Sequence, residues 1–182
     1  MTRSKSQQRL NELLPLVYEE LRVFASRALD REAANISVQT TDLVHEVYLR
    51  LSQLREIGWE NEQEMLRTAV AVMRRVLVDR GRHRHRLKRK PPGVRVQLDG
   101  VGTGGNSPID SIVDVIDLHE ALERLAVFDE RKAEIVSLRC FGGLSVEQVA
   151  ETLDISATTV KREWAVARAW LFRELKHEPT TE

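Results

Sequence analysis

Hydroxyl and cationic side chains are concentrated in one stretch near the C-terminal end of the chain. They are Thr158, Thr159, Lys161, Arg162 and Arg168, which fall on the outer face of a predicted helix. Hydroxyl and guanidinium groups can hydrogen-bond base edges in the major groove, and cations contact phosphates. Arg162 is the best candidate for a bidentate contact with guanine. These residue types at this spacing predict a surface that reads duplex DNA.

Two predicted helices position these side chains as a helix-turn-helix. Apolar residues recur at helical spacing in two groups, Val146, Val149, Ala150 and Leu153, then Val160, Trp164, Ala167 and Leu171. Ser145 and Gln148 form a capping-box pattern before the first helix, and Ser156 is a good N-cap for the second. The alternative is an ordinary pair of core helices with a solvated charged face.

A second concentration of cations lies in the middle of the chain. Residues 74–90 hold nine Lys and Arg residues and one acidic residue, Asp79, for which a salt bridge to an arginine is the expected role. Blocks of like charge usually bind a polyanion, although a solvated helix face is the alternative. His83 and His85 lie two residues apart, which places them on different helix faces, so we predict no metal site.

Composition limits the function classes that remain. The net charge is zero, yet residues 1–95 carry 19 basic against 12 acidic residues, and residues 96–182 carry 9 against 16. No apolar stretch reaches the roughly 20 residues of a membrane span, and the N-terminus has no signal-peptide core. The single cysteine, Cys140, excludes an internal disulfide and fits a reducing cytoplasm. No cofactor motif is present.

The pattern predicts an all-α fold of two small helical domains, residues 1–90 and 109–182, joined by a flexible linker. The linker, residues 91–108, holds three of the five prolines and five of the nine glycines, and it can extend roughly 60 Å. Residues 33–39 are predicted to form a loop. Helices are expected at residues 10–29, from Thr40–Asp42 onward, from about 61 to 86, 109–126 and 129–140, followed by the helix-turn-helix.

Four segments in this order resemble alternative sigma factors of the extracytoplasmic-function (ECF) type, in the sigma-70 family. Residues 129–150 and 159–171 are similar to region four of that family. Residues 41–51 resemble the part of region two that docks on the polymerase clamp, and residues 74–82 resemble the promoter-melting helix. The resemblance extends from about Leu13 to Leu175.

The resemblance implies that the chain binds core RNA polymerase and directs it to promoters, without enzymatic activity of its own. The first domain would recognise the minus-ten element and its melted non-template strand, using Arg74, Arg75, Arg80, Arg82, Arg84 and Arg86. The second would read the duplex minus-thirty-five element with the helix-turn-helix residues named above. Asp42, Glu46 and Arg50 would contact the clamp, with a surface charge ladder as the alternative. An anti-sigma factor is a possible further partner.

The chain departs from the family pattern at three positions. Many members carry an asparagine where this chain has Arg75, and a tryptophan near Thr68. Asp154 replaces the usual turn glycine, and aspartate tolerates the left-handed backbone that such a turn requires. Trp164 is expected in the core, whereas Trp59 could either pack or stack on melted DNA.

Two other function classes compete with this interpretation. A stand-alone helix-turn-helix regulator would bind DNA tightly without polymerase, as a dimer on symmetric half-sites. Such a regulator would not need residues 41–51 for DNA binding, so their presence counts against this interpretation. A nucleic-acid-processing enzyme would need a carboxylate cluster, a nucleophile with its base or a phosphate loop, and none is found in the sequence.

Overall fold

The computed structural model describes residues 2–29, 36–54, 59–86, 95–97 and 112–177. Within these ranges the protein is almost entirely helical, which confirms the all-α prediction. The elements in chain order are α1 Thr2–Leu29, α2 Ile36–Gln53, α3 Glu62–Arg86, β1 Arg95–Gln97, β2 Ile112–Asp114, α4 Val115–Phe128, α5 Glu130–Cys140, α6 Val146–Leu153 and α7 Ala157–His177.

Two helices begin earlier than their apolar patterns predict. Helix α1 begins at Thr2 and not at residue 10, and α2 begins at Ile36 and not at Thr40. The prediction of a loop over residues 33–39 is therefore wrong for its last four residues. Thr40 is buried, so it lies inside the helix and does not cap it. The first turns of α1 are polar and carry no 3.6-residue apolar signal, and in α2 Ile36 and Val38 stand two residues apart, so periodicity places both starts too late.

Asp129 forms the corner between α4 and α5. Its backbone N–H bonds the carbonyl of Leu125 at the end of α4, and its carboxylate accepts the Lys132 N–H at the start of α5. The pKa of Asp129 is lowered, chiefly by the hydrogen bond from the Lys132 side chain. A carboxylate at a helix N-terminus is also favoured by the helix dipole. This local chemistry explains why the boundary at residue 129 is predictable.

Part of the predicted linker forms a short antiparallel ladder. Strand β1, inside the range 91–108, pairs with β2 so that Arg95 lies opposite Asp114 and Gln97 opposite Ile112. Helix α4 consequently begins at Val115, with Asp114 as its N-cap, and not at Ile109 as predicted. The remainder of residues 87–111 lies outside the described ranges.

One continuous apolar core joins the two halves of the sequence. Helices α1, α2 and α3 pack together, and α4, α5, α6 and α7 pack together. Helix α3 also packs against α4, α5 and α6, so it lies between the two groups. In the part of the chain that the structure describes, no helix combines the length and apolarity needed to cross a membrane.

Candidate nucleic-acid interface

The turn between α6 and α7 is built by local hydrogen bonds. The Ser145 hydroxyl accepts the Gln148 N–H, and the Gln148 side chain accepts the Ser145 N–H, which completes the predicted capping box. Asp154 adopts the left-handed conformation, with φ 52° and ψ 48°. The Ser156 hydroxyl then accepts the Thr159 N–H at 3.1 Å and begins α7. These contacts fix the angle between the two helices.

The apolar face of α7 is buried as its spacing predicts. Val160, Trp164, Ala167 and Leu171 all lie in the core, so the expectation that Trp164 packs is confirmed. Burying this face turns the opposite face of α7 outward. The structure therefore presents one polar side of the second helix to the surroundings, as DNA recognition by a helix-turn-helix requires.

The five candidate residues on α7 divide into two groups. Thr158, Lys161 and Arg162 are exposed, and 73% of the Arg162 side chain is accessible. The Thr159 hydroxyl lies 2.8 Å from the Ser156 hydroxyl and belongs to the helix cap. The Arg168 guanidinium stacks over the ring of Phe172, 5.3 Å from its centroid. The exposed three form the outward polar patch, and the other two have partners within the chain.

A buried carboxylate that the sequence interpretation missed anchors α7. Glu163 is 4% exposed and forms an ion pair with Arg131 of α5, at 3.0 Å between Nε and Oε2. Its other oxygen lies 3.7 Å from the guanidinium of Arg162. Glu163 follows Val160 by three residues and precedes Ala167 by four, which places it at the edge of the apolar stripe. This spacing could have indicated from the sequence that Glu163 is buried.

A buried arginine supports the same helix from beneath. Arg139 is 2% exposed, donates to the Leu144 carbonyl at 3.0 Å, and lies 5.1 Å from the Trp164 ring centroid. Burial lowers the pKa of Arg139. A desolvated cation over an indole ring is a favourable contact, of up to about 2 kcal/mol. Arg139 therefore ties α5 to α7 and to the loop before α6.

The arginines of α3 that the structure describes form an exposed group and a partly buried group. Arg75, Arg82 and Arg86 are exposed, and with Asp79 they lie along one side of the helix at positions i, i+4, i+7 and i+11. Arg74 and Arg80 are partly buried and have acidic partners within the chain. The side chains of Arg84 and His85 lie outside the described residues. Three of the six predicted contacts thus share one outward face.

Arg80 and Asp79 of α3 form ion pairs with residues of α2. Arg80 donates to Glu46 at 2.9 Å, and Arg50 donates to both Glu46 at 3.0 Å and Asp79 at 2.9 Å. The hydrogen bond that Arg50 donates to the Asp79 carboxylate raises the pKa of Arg50. The prediction that Asp79 pairs with an arginine is confirmed, and the partner comes from α2. This four-residue network fixes α3 on α2.

The three residues proposed to contact the clamp therefore differ in exposure. Asp42 is exposed on α2, whereas Glu46 and Arg50 are engaged with α3. His45 and Leu49 are exposed on the same side of α2 as Asp42, at positions i+3 and i+7, and Leu49 is 45% exposed. The spacing of the charged residues Asp42, Glu46 and Arg50 did not predict an exposed leucine on this side of α2.

Arg74 lies in the contact between α3 and the C-terminal helices. Its guanidinium donates to Glu123 of α4 at 2.8 Å and to the Ser137 hydroxyl of α5 at 3.3 Å. Only 15% of the side chain is exposed, and burial lowers the pKa of Arg74. The pKa of His119 on α4 is also lowered, first by burial and then by Arg74, with Arg82 acting in the same direction and Glu123 and Glu120 opposing it.

Trp59 is a core residue. It is 2% exposed, and its indole N–H donates to the Thr68 hydroxyl at 3.2 Å. Of the two alternatives for Trp59, packing is confirmed, because a ring this buried offers no face to a melted base.

Comparison with known families gives one match. The model of the ECF sigma factor family matches residues 2–177, which is nearly the whole chain. Searches of curated proteins and of solved structures gave no match. The match spans both helical groups, including α3 and the helix-turn-helix described above.

Proposed function

Because the chain belongs to the ECF sigma factor family, we propose that it binds core RNA polymerase and directs it to promoters through α3 and α7. The family supplies the general role, which is transcription initiation by RNA polymerase. Its members are non-catalytic, bind core polymerase and promoter DNA, and are often held by anti-sigma factors. The assignment of particular residues to particular contacts is the part that we propose.

Helix α7 is proposed to read the duplex minus-thirty-five element. The observation that carries this proposal is the exposed patch of Thr158, Lys161 and Arg162 opposite a fully buried apolar face. Arg162 is the residue suited to a guanine, and Lys161 and Thr158 supply phosphate or base-edge contacts. Arg168 and Thr159 support the helix in this proposal, because both already have partners.

Helix α3 is proposed to meet the minus-ten element through its outward cations. Arg75, Arg82 and Arg86 form a row about 16 Å long, at 1.5 Å per residue. Cations spaced in this way contact successive phosphates and give affinity without sequence information. Arg80 is assigned to the network with α2, which would hold the row at a fixed orientation.

Helix α2 is proposed to face the polymerase clamp with Asp42, His45 and Leu49. These three side chains are exposed on one face, and an apolar centre flanked by polar groups is typical of protein interfaces. Glu46 and Arg50 lie behind this face in the proposal. They would connect a clamp-binding helix to a DNA-binding helix through two ion pairs.

Run-off transcription with bacterial core polymerase on a library of genomic fragments tests the proposal. Discrete transcripts that share two spaced upstream elements are the expected result. Arg162→Ala should lower promoter affinity by about 1–3 kcal/mol and relax the preference at one base pair of the upstream element. Arg22→Ala on α1, which removes the same charge far from α7, is the matched control.

Two results would contradict the proposal. Specific DNA binding by the free protein as a dimer, without transcripts in the presence of polymerase, would favour a conventional helix-turn-helix regulator. An equal loss of affinity in Arg162→Ala and Arg22→Ala would show that the effect is one of overall charge and not of α7 recognition.

A further inference from the structure

A buried carboxylate lies at the edge of the exposed patch of α7. Glu163 is 4% exposed, and its Oε2 accepts a hydrogen bond from Nε of Arg131 on α5 at 3.0 Å. Its other oxygen, Oε1, lies 3.7 Å from Nη2 of Arg162, the residue suited to a guanine. One carboxylate thus contacts a cation of α5 with one oxygen and a cation of the exposed patch with the other.

The two contacts of Glu163 differ in kind. At 3.0 Å the contact with Arg131 is a hydrogen bond, whereas the 3.7 Å between Glu163 and Arg162 is beyond hydrogen-bond range. The attraction between Glu163 and Arg162 is therefore electrostatic, and it leaves the N–H groups of the Arg162 guanidinium available to another acceptor. The carboxylate restricts where this guanidinium lies without satisfying its hydrogen bonds.

Helix geometry alone does not bring these two side chains together. Successive residues of an α-helix point about 100° apart, and residues at i and i+1 do not face each other. Arg162 lies on the exposed side of α7, whereas Glu163 is directed toward α5, where Arg131 binds it. The Arg162 side chain therefore leans toward α5, on the side where the Glu163 carboxylate lies.

Arg131 holds the carboxylate in place. Arg131 belongs to the first turn of α5, so its position is set by the start of that helix, which Asp129 caps. The Arg131 side chain is 57% exposed and that of Glu163 is 5% exposed, so the pair lies across the boundary between core and surface. A buried ion is costly without a partner, so Glu163 stays with Arg131. The start of α5 thus fixes Glu163, and Glu163 restricts the direction of Arg162.

A carboxylate beside a DNA-facing patch works against DNA affinity. Phosphates repel it, and this repulsion is the same for every DNA sequence. A patch selected for affinity alone would have a neutral or cationic side chain in the place of Glu163. A freely moving arginine can contact the phosphates of any sequence, whereas an arginine held in one direction favours the base edge that lies there. The carboxylate therefore fits a role in selectivity.

We propose that Glu163 is a positioning residue that sets the selectivity of Arg162 for its base pair, and that Arg131 fixes Glu163 in this role. The inference rests on the proposed function, in which Arg162 reads a guanine of the minus-thirty-five element. Glu163 itself contacts no base. It reduces the freedom that Arg162 loses on binding guanine, so discrimination between base pairs rises, while its charge lowers the affinity for all DNA.

Run-off transcription with core polymerase on two promoters tests the proposal. The promoters differ only at the base pair where Arg162→Ala relaxes the preference. Glu163→Gln keeps the shape of the side chain and removes its charge. The ratio of transcripts from the two promoters should fall about 2- to 13-fold, which is the factor for ordering one long side chain. Transcription from the weaker promoter should rise, because the charge that repels DNA is gone. In an Arg162→Ala background, Glu163→Gln should leave the ratio unchanged.

Two further variants separate positioning from charge and from stability. Glu163→Asp keeps the charge but is one methylene shorter, so it should lower the ratio without raising transcription from the weaker promoter. Glu174→Gln, further along α7, removes a carboxylate that pairs with Arg124 of α4 and is the matched control. It should leave the ratio unchanged.

Each outcome decides the matter. A fall in the ratio that requires Arg162, together with a rise at the weaker promoter, supports the proposal. An unchanged ratio in Glu163→Gln overturns it, and so does an equal fall in Glu174→Gln or in the Arg162→Ala background. If circular dichroism shows that Glu163→Gln does not fold, an unchanged ratio in Glu163→Asp overturns the proposal instead. If Arg162→Ala relaxes the preference at no base pair, the proposed role of α7 itself fails, and that result is distinct from a Glu163 variant without effect.

Discussion

Replacing Gly81 with leucine should shift the protein from a closed state, in which α3 packs on α4, to an open state, in which the two helices separate. The substitution leaves the charge unchanged. Gly81 lies in the interior of α3, where glycine destabilises a helix by about 1 kcal/mol relative to alanine. The structure gives the reason for the glycine, since Val115 and Ile116 of α4 fill the space that a side chain would need. Leucine forms helices well, so Gly81→Leu should strengthen α3 while excluding α4 from its surface.

The magnitude follows from the two contributions. The gain in helix propensity of about 0.8 kcal/mol is the same in the closed and open states and does not shift their balance. The overlap with Val115 arises only in the closed state, where extra side-chain atoms in a packed contact cost about 1–3 kcal/mol. The ratio of open to closed protein should therefore rise about 5- to 150-fold. Gly81→Ala, which adds one methyl group at 3.1 Å, should shift the ratio much less.

Small-angle scattering and circular dichroism are the assays. A compact chain of this length has a radius of gyration of about 16 Å, and Gly81→Leu should exceed this value while its helical circular dichroism stays unchanged. An unchanged radius in Gly81→Leu, or a larger radius accompanied by loss of helix, would refute the reasoning.

Three further predictions concern stability and pH. Ser145→Ala should lower the free energy of unfolding by about 1 kcal/mol in urea titrations, because the capping box of α6 is lost; an unchanged midpoint would contradict this. Glu46→Gln should lower the free energy of unfolding by less than about 1 kcal/mol in the same assay, because its ion pairs are about one third exposed and solvent weakens them. A larger loss would contradict this weakening by solvent. The closed state should weaken as pH falls below about 6.5, because it depresses the pKa of His119 and so binds a proton less readily than the open state. His119→Asn should have a compact radius that no longer depends on pH, and an unaltered pH profile would exclude His119 as the cause.

The elements that sequence predicts well are those fixed by local chemistry. The caps at Ser145, Ser156 and Asp129 and the left-handed turn at Asp154 all depend on residues within four positions of one another. Helical spacing likewise identifies the buried face of α7, because the period of the helix is known in advance. The helix-turn-helix and three of the five residues predicted for its outward face could therefore be derived from the order of residues alone.

The parts that sequence does not reveal depend on contacts between distant segments. The six arginines predicted to meet the minus-ten element look equivalent in the sequence. Only the fold separates Arg75, which is exposed, from Arg74, which donates hydrogen bonds to Glu123 and Ser137. The pairing of β1 with β2 is similar, since three-residue strands in a stretch rich in proline and glycine carry no periodic signal. Spacing tells which residues share a face, but not which helix covers that face.

The contact of α3 with α4 and α5 gives a structural role to the opposite charges of the two halves of the sequence. The two halves carry equal and opposite charge, and Arg67 and Arg74 of the basic half form ion pairs with carboxylates of the acidic half. Salt screens the attraction between these charges. The ion pairs that join the two halves should therefore weaken at high ionic strength, whereas the packing of Val115 at Gly81 should persist.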